Sequence, residues 1–131
     1  MQIQKHTFSK AERLCGEIRI NTHFDKGDFF ISYPFRIGFS VAEKSEIPVQ
    51  VLIGVPKKRF KHAVDRNRIK RLIREVYRLN KAALYALLEN KSIYLSVNYV
   101  ANEIFPYETM QQKWQESIEK LSRKLELSLR A

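Results

Sequence analysis

Apolar residues alternate with small or polar residues in three short segments of the chain, which is the pattern of β-strands with one buried face. These segments are residues 35–42, 49–55 and 93–99. In the first of them, Phe35 and Ile37 share one face, whereas Arg36 and Gly38 share the other. The pattern predicts a sheet with an aliphatic face for helices and a second face of polar, small or aromatic residues. Alternation alone favours a solvated second face over a platform for unpaired bases.

Three further segments repeat their apolar residues with a helical period. The predicted helices span residues 17–25, residues 63–80 with an extension towards 89, and residues 107–127. In the first helix Ile20 and Phe24 lie one turn apart, and Gly27 ends it. In the last helix Met110 and Trp114 begin an apolar stripe that indicates core packing. The order of elements predicts an α+β fold with helices packed on one face of a small sheet.

Length and composition indicate one compact unit, and residues 1–131 are expected to form a single domain. Hydrophobic residues make up 44% of the chain, so disorder is not expected. No apolar run approaches the roughly 18 residues of a membrane span, so no membrane partner is expected. The N-terminus lacks the apolar core of a signal peptide, and Cys15 is the single cysteine. These features predict a cytoplasmic protein.

Positive charge is concentrated in one part of the chain, which has a formal net charge of +10. Residues 57–78 contain ten lysines or arginines and two acidic residues, and they therefore carry +8 of this charge. The rest of the chain is close to neutral. Such a concentration predicts association with a polyanion.

The basic residues of the second helix fall on one side of it. Lys70, Arg71, Arg74 and Arg78 lie within about 60° of Asn67 on a helical wheel. The opposite side is apolar and consists of Ile69, Leu72, Ile73 and Val76. Few acidic residues stand one turn away, and arginine, which suits bidentate contact with phosphate, outnumbers lysine. The stripe therefore favours a nucleic-acid partner over an ordinary solvated helix face.

No catalytic or metal site is visible in the sequence. His6, His23 and His62 lack the spacing of metal ligands, and no Cys-x-x-Cys motif occurs. The acidic residues are scattered, whereas a two-metal nuclease site requires them to cluster. We therefore expect neither catalytic residues nor metal ligands in this chain.

The basic segment also resembles the signature of the protein subunit of bacterial ribonuclease P, in which a basic loop leads into an Arg-Asn-Arg helix. The residues that match in place are Lys57, Lys58, Ala63, Arg66, Asn67, Arg68, Lys70, Arg71 and Arg74. Upstream, Ile20, Phe24 and Gly27 follow an Arg-Leu pair as in the family's first helix, where an aromatic residue is common at the position of Ile20. The resemblance implies a ribosomal-protein-S5-like fold, α-β-β-β-α-β-α, with residues 28–33 as the additional strand.

The resemblance further implies a ribonucleoprotein that removes the 5′ leader from precursor tRNA. In this family the RNA subunit holds the catalytic Mg²⁺ ions, and the protein binds that RNA and the leader. The implied RNA-binding residues are Lys57, Lys58, Arg66, Asn67, Arg68, Lys70, Arg71, Arg74 and Arg78. The implied leader cleft, between the first helix and the sheet, contains Ile20, Phe24 and Arg36. The expected partners are the catalytic RNA subunit and precursor tRNA, with no obligate protein partner.

Two other functions are compatible with the charge pattern. One is a structural RNA-binding protein of the ribosomal type, which takes no part in cleavage. The other is a DNA-binding module that reads bases with its basic helix, although such a helix should mix Asn, Gln, Ser and Arg. The match to the ribonuclease P signature favours a protein subunit of ribonuclease P over both of these functions.

Overall fold

The computed structural model describes residues 8–89 and 91–130, with the backbone alone for residues 127–130. The strands are β1 Asp28–Ser32, β2 Phe35–Ala42, β3 Val49–Gly54 and β4 Ser92–Tyr99. The helices are α1 Glu17–Lys26, α2 Ala63–Leu88 and α3 Tyr107–Arg130, and a 3₁₀ turn at Lys10–Glu12 precedes them. Every helix and strand predicted from the periodicity is present. The extension of the second helix towards residue 89 is confirmed, because α2 is continuous to Leu88.

The four strands form one mixed sheet in the order β1-β2-β4-β3. Strands β1 and β2 are antiparallel, as are β2 and β4, whereas β3 and β4 run parallel. Helix α2 makes the crossover between the two parallel strands, as parallel pairing requires. The predicted α+β fold with a small mixed sheet is therefore confirmed.

The hydrophobic core lies between one face of this sheet and the two long helices. Ile37 of β2 and Leu95 of β4 are buried there, together with Ile73 of α2 and Trp114 of α3. Arg36, which points to the other face, is exposed, as the alternation predicts. Within the residues that the structure describes, no helix is long and apolar enough to cross a membrane.

Helix α1 lies on the opposite face of the sheet from α2 and α3. It follows Gly16, whose φ of 93° is accessible to glycine at little cost. The His23 side chain of α1 is buried against Ser40 of β2 and Ser96 of β4. The two long helices, α2 and α3, pack on one face of the sheet, as expected. The short helix α1 covers part of the second face and leaves the rest of it accessible.

The segment that precedes α1 runs along the free edge of β3. Arg13 forms a parallel bridge with Val51, and the amide of Leu14 donates a hydrogen bond of 2.8 Å to the Val51 carbonyl. Glu12 is buried and lies 2.7 Å from the Nζ of Lys81 on α2. The N-terminal segment is thereby fixed to both the sheet and α2.

Candidate nucleic-acid interface

The basic side of α2 faces outward, as the helical wheel predicts. Ile69, Ile73 and Val76 are buried in the core, whereas Arg68 and Arg71 are exposed. Asn67 is exposed beside them, and Lys70 and Arg74 are half-buried. Among the residues that the structure describes, Arg68, Lys70, Arg71 and Arg74 form no ion pair with a carboxylate. Uncompensated like charge on one helix side costs folding energy, and a bound polyanion would offset that cost.

Two of the predicted RNA-binding residues have partners within the protein. The Nη1 of Arg66 donates hydrogen bonds of 2.8 and 2.9 Å to the carbonyls of Phe60 and Lys61. Arg66 therefore fixes the loop between β3 and α2, a role that its position in a basic motif does not reveal. Arg78 forms an ion pair with Glu75, its neighbour three residues earlier on α2. The charge of Arg78 is thus partly compensated, unlike that of Arg71.

The loop between β3 and α2 presents further cations next to this helix. Lys57 and Lys58 are exposed at its start, close to the N-terminal end of α2. The positive end of the helix dipole points in the same direction. We call the accessible cations of this loop and helix the basic surface, which consists of Lys57, Lys58, Arg68, Lys70, Arg71 and Arg74.

A second surface of a different character lies between α1 and the sheet. Phe24 of α1 stacks on Phe29 of β1, with ring centroids 5.7 Å apart and planes inclined by 4°. The Arg36 guanidinium of β2 lies 4.7 Å from the centroid of the same Phe29 ring. Phe24, Phe29 and Arg36 form what we call the aromatic row, in which Phe24 remains 44% exposed. Ile20 is half-buried one turn earlier on α1.

Phe29 joins two predicted cleft residues, yet sequence analysis did not select it. Its partner in the β1–β2 register is Gly38, and a Cβ at Gly38 would overlap the Phe29 ring. The ring therefore packs directly on Gly38, and any side chain at that position would have to displace it. The pairing of the large aromatic residue Phe29 with Gly38 across two strands would have indicated this contact. That pairing is known only once the register of β1 and β2 is known.

His23 is the second residue that the sequence did not reveal. Its Nδ1 lies 2.8 Å from the Ser40 hydroxyl and its Nε2 lies 2.9 Å from the Ser96 hydroxyl. Burial lowers the pKa of His23, so the ring is neutral at pH 7. A neutral imidazole donates from one nitrogen and accepts at the other, and serine hydroxyls can complete both bonds. His23 therefore fixes α1 on the sheet and orients the neighbouring Phe24.

A cluster of buried ionisable groups lies beneath the N-terminal segment. The Glu12 carboxylate accepts hydrogen bonds from Lys81, Ser9 and the hydroxyl of Tyr85. Burial alone would raise the pKa of Glu12, but the bonds from Lys81 and Ser9 outweigh it and lower the pKa. Burial also raises the pKa of Tyr85 to about 12. This cluster stabilises structure, and no group of three His, Cys, Asp or Glu in the described part of the chain could hold a metal ion.

A small mixed α+β fold with an uncompensated cationic stripe on one helix defines a protein of the nucleic-acid-binding class. The comparison with known families gives the particular family. The model of the ribonuclease P family matches residues 8–125. The chain therefore belongs to the ribonuclease P protein family, whose members are the protein subunits of the endoribonuclease that processes the 5′ ends of tRNA.

Individual relatives agree with this assignment. The ribonuclease P protein component of Porphyromonas gingivalis strain W83 is 39% identical over 113 residues, which cover 84% of this chain and 82% of the relative. That of Chlorobium phaeobacteroides is 36% identical over 87 residues, covering 66% and 59% of the two chains. A mutant RNase P protein of Staphylococcus aureus superposes with a TM-score of 0.70 at 23% identity, over 86% of this chain and 89% of that one. The Thermotoga maritima RNase P protein gives 0.65 at 23% identity, over 83% and 96%. The two structures show the shared fold.

Proposed function

We propose that this chain binds the catalytic RNA subunit of ribonuclease P through the basic surface and the 5′ leader of precursor tRNA through the aromatic row. It would thereby assist the endonucleolytic removal of the leader. The observation that carries this proposal is the separation of two surfaces with different chemistry. One surface is cationic and lies on α2, and the other is aromatic and lies across the sheet from it.

The basic surface suits a structured RNA. Its cations have no acidic partners among the described residues, and arginine can contact a phosphate through two parallel hydrogen bonds. Each phosphate contact releases counterions, so the affinity should depend strongly on salt. The loop lysines Lys57 and Lys58 extend this surface beyond the helix.

The aromatic row suits an unpaired strand such as a leader. Phe24 is 44% exposed even though its ring already stacks on Phe29, so one ring face remains available for a nucleobase. Arg36 at the other end of the row can contact the sugar–phosphate backbone, because its guanidinium is exposed. Stacking is tolerant of sequence, so this surface should accept leaders of different composition.

We also propose that Mg²⁺ is held mainly by the RNA subunit, where it would activate the attacking water and stabilise the leaving oxygen. The residues of this chain would bind and orient the two RNAs. The donor set fits this division, because Glu12 and Glu75 at α2 are paired with Lys81 and Arg78, and Asp65 in the first turn of α2 belongs to no cluster of three metal-ligating residues in the described part of the chain. A cytoplasmic location without an obligate protein partner is part of the same proposal, and the exposed free thiol of Cys15 is compatible with a reducing compartment.

Reconstitution tests the proposed function. We expect the RNA-free protein to leave precursor tRNA intact, and the protein with its RNA subunit and Mg²⁺ to cut at the mature 5′ end. Cleavage by RNA-free protein that is lost on changing one of its own acidic residues would contradict the proposal. Binding to the RNA subunit without any effect on cleavage would instead support a structural role of the ribosomal type.

A further inference from the structure

A groove lies where the basic surface meets the free edge of β3. Its main part is a cavity of about 260 Å³ between the N-terminal segment, β3 and α2. A neighbouring cavity of about 240 Å³ shares Phe8, Arg13 and Arg74 with it and continues along α2. We call this the edge groove and define it by Phe8, Arg13, Cys15, Leu52, Lys70 and Arg74. Its two parts together are comparable with the smaller pockets that bind small molecules, whose volumes begin at about 300 Å³.

One side of the edge groove is cationic. Lys70 and Arg74 stand one turn apart on α2, and Arg13 approaches from the N-terminal segment. None of these three residues forms an ion pair within the described part of the chain. Because Lys70 and Arg74 are half-buried, their charges are less screened by water than those of Arg68 or Arg71. This arrangement can hold one anionic group.

The other side is apolar. Phe8 is half-buried on Tyr77, with ring centroids 5.6 Å apart, and the Arg13 guanidinium lies 5.5 Å from the Phe8 centroid. Leu52 and Ile53 of β3 are also only partly buried and complete this wall. An aromatic ring beside a guanidinium and two aliphatic side chains suits the face of a planar, uncharged ring.

The free edge of β3 adds hydrogen-bonding groups at the same place. The Val51 carbonyl accepts from Leu14, so it points away from β4. Since the backbone groups of a strand alternate between its two edges, the N–H and C=O of Ile53 point to that free edge as well. A donor and an acceptor side by side match the edge of a nucleobase, whereas phosphate alone would use only the donor.

The groove is preorganised by bonds outside it. The Arg13–Val51 bridge fixes one wall to the sheet, and the buried Glu12–Lys81 pair fixes the residue before Arg13 to α2. A ligand would therefore not have to order this wall, which lowers the entropic cost of binding.

We propose that the edge groove binds one unpaired nucleotide of the RNA subunit, with its phosphate among Arg13, Lys70 and Arg74 and its base against Phe8 and the edge of β3. This inference rests on the proposed function, because it requires the basic surface to bind the RNA subunit. It adds Phe8 and Arg13, which lie outside the basic motif, to the residues that recognise RNA.

The test compares three variants of the full chain in equilibrium binding to the RNA subunit over a range of salt concentrations. Phe8→Leu keeps an apolar side chain but removes the ring, so affinity should fall about fivefold or more while the salt dependence stays unchanged. Arg13→Gln should lower both the affinity and the slope of log K against log[salt], the slope by about 0.7–0.9. Arg68→Gln is the matched control, since Arg68 is exposed on the basic surface but does not line the groove.

The control separates failure of this inference from failure of the proposed function. An unchanged affinity of Phe8→Leu, with a lower salt slope for Arg68→Gln, would overturn the nucleotide pocket and leave the basic surface intact. If none of the three variants affects binding, both proposals fail together.

The single cysteine provides a second test that needs no change in the core, because Cys15 is exposed in the groove. Alkylation of folded protein with N-ethylmaleimide should weaken binding of the RNA subunit about fivefold or more, and RNA bound beforehand should slow the alkylation. The affinity of a Cys15→Ser variant should not change on treatment with the reagent, which assigns the effect of alkylation to Cys15. Equal affinity of alkylated and untreated protein would overturn the inference even if Phe8→Leu proved unstable.

Discussion

The Nζ of Lys81 lies 2.7 Å from Oε2 of Glu12, and both side chains are buried. The two residues are separated by 69 positions in the chain. The pair connects the N-terminal segment to the C-terminal half of α2, on the side of the helix that also carries Lys70 and Arg74. A buried ion pair of this kind costs desolvation energy, so its value lies mainly in specifying one arrangement of the two segments.

Removal of one partner of this pair should destabilise the protein strongly. Lys81→Met leaves the Glu12 carboxylate buried without its cation, and the free energy of unfolding should fall by about 3–5 kcal/mol. The double variant Glu12→Leu with Lys81→Met removes both charges and should regain most of that loss. Urea denaturation of the single and double variants measures both values. Additive losses in the double variant would show that the two charges do not interact.

Stability should also depend on pH through His23. Burial lowers its pKa in the folded protein, whereas the unfolded chain takes up a proton near the ordinary value of 6.5. Its stabilising contribution is complete above that value and is lost as the pH falls below it, by at most about 1.4 kcal/mol per pH unit. Denaturation between pH 7.5 and about 5 should show this slope, and His23→Gln should abolish it.

Two controls define that pH effect. His62→Gln is the matched substitution, because it removes a histidine that is exposed rather than buried. The pKa of Glu12 is lowered in the folded protein, so the stabilising contribution of its carboxylate is lost only as the pH falls below the ordinary value of 4.5. His23 and Glu12 therefore affect stability in separate pH ranges. A slope above pH 5 that persists in His23→Gln would require another titrating group.

The arginines of the basic motif should divide into two groups. Arg71→Gln should weaken binding to the RNA subunit and lower the salt slope by about 0.7–0.9, with an unchanged melting temperature, because the side chain is exposed. Arg66→Gln should also lower the melting temperature, since its hydrogen bonds to Phe60 and Lys61 are lost. Filter binding and thermal melting distinguish the two. Equal melting temperatures would mean that the Arg66 bonds do not stabilise the loop.

Phe24→Ala tests leader recognition. If a base stacks on Phe24, the variant should lose about 1–3 kcal/mol of affinity for precursor tRNA in the holoenzyme. Affinity for the RNA subunit and for mature tRNA should stay the same. Ile18→Ala is the control on the same helix, because Ile18 is 82% exposed and lies outside the aromatic row. Equal losses for precursor and mature tRNA would contradict a contact with the leader.

Gly38→Ala should disturb the same surface from below. Its Cβ would overlap the Phe29 ring and lie 2.6 Å from the Ser96 hydroxyl. Displacement of Phe29 should cost about 1–3 kcal/mol of stability and weaken precursor tRNA binding as Phe24→Ala does. In Gly54→Ala, the control on the same face, the new Cβ meets only the Asn98 side chain, which can move. Similar effects of both substitutions would show that Phe29 has no special role.

Local patterns predicted much of this protein. The alternation in β2 correctly separated buried Phe35 and Ile37 from exposed Arg36, and the wheel of α2 separated Ile73 from Arg71. Both predictions rest on periods that hold within a single element. The motif around Arg68 indicated the family in the same way, because its residues lie within one short segment of the chain, from Lys57 to Arg74.

Contacts between segments that are distant in the chain could not be predicted from the sequence. The two serines that bind His23 lie 17 and 73 residues away from it, so no local pattern marks it as buried. Phe29 became recognisable as a partner of Phe24 only from the strand register. Periodicity shows that a helix has an apolar face, but it does not show which side of a sheet that face covers.

Strand β4 supports both surfaces at once. Leu95 and Val97 point towards α2 and the basic surface, and Ser96 between them binds His23 beneath α1. An insertion or deletion of one residue here would reverse every side chain beyond it, and each helix would then meet the wrong kind of partner. Substitutions on one side of the strand leave the other side untouched. Over evolution, each of the two surfaces should therefore be able to vary independently in composition, whereas we expect the length of β4 between Ser92 and Tyr99 to be conserved.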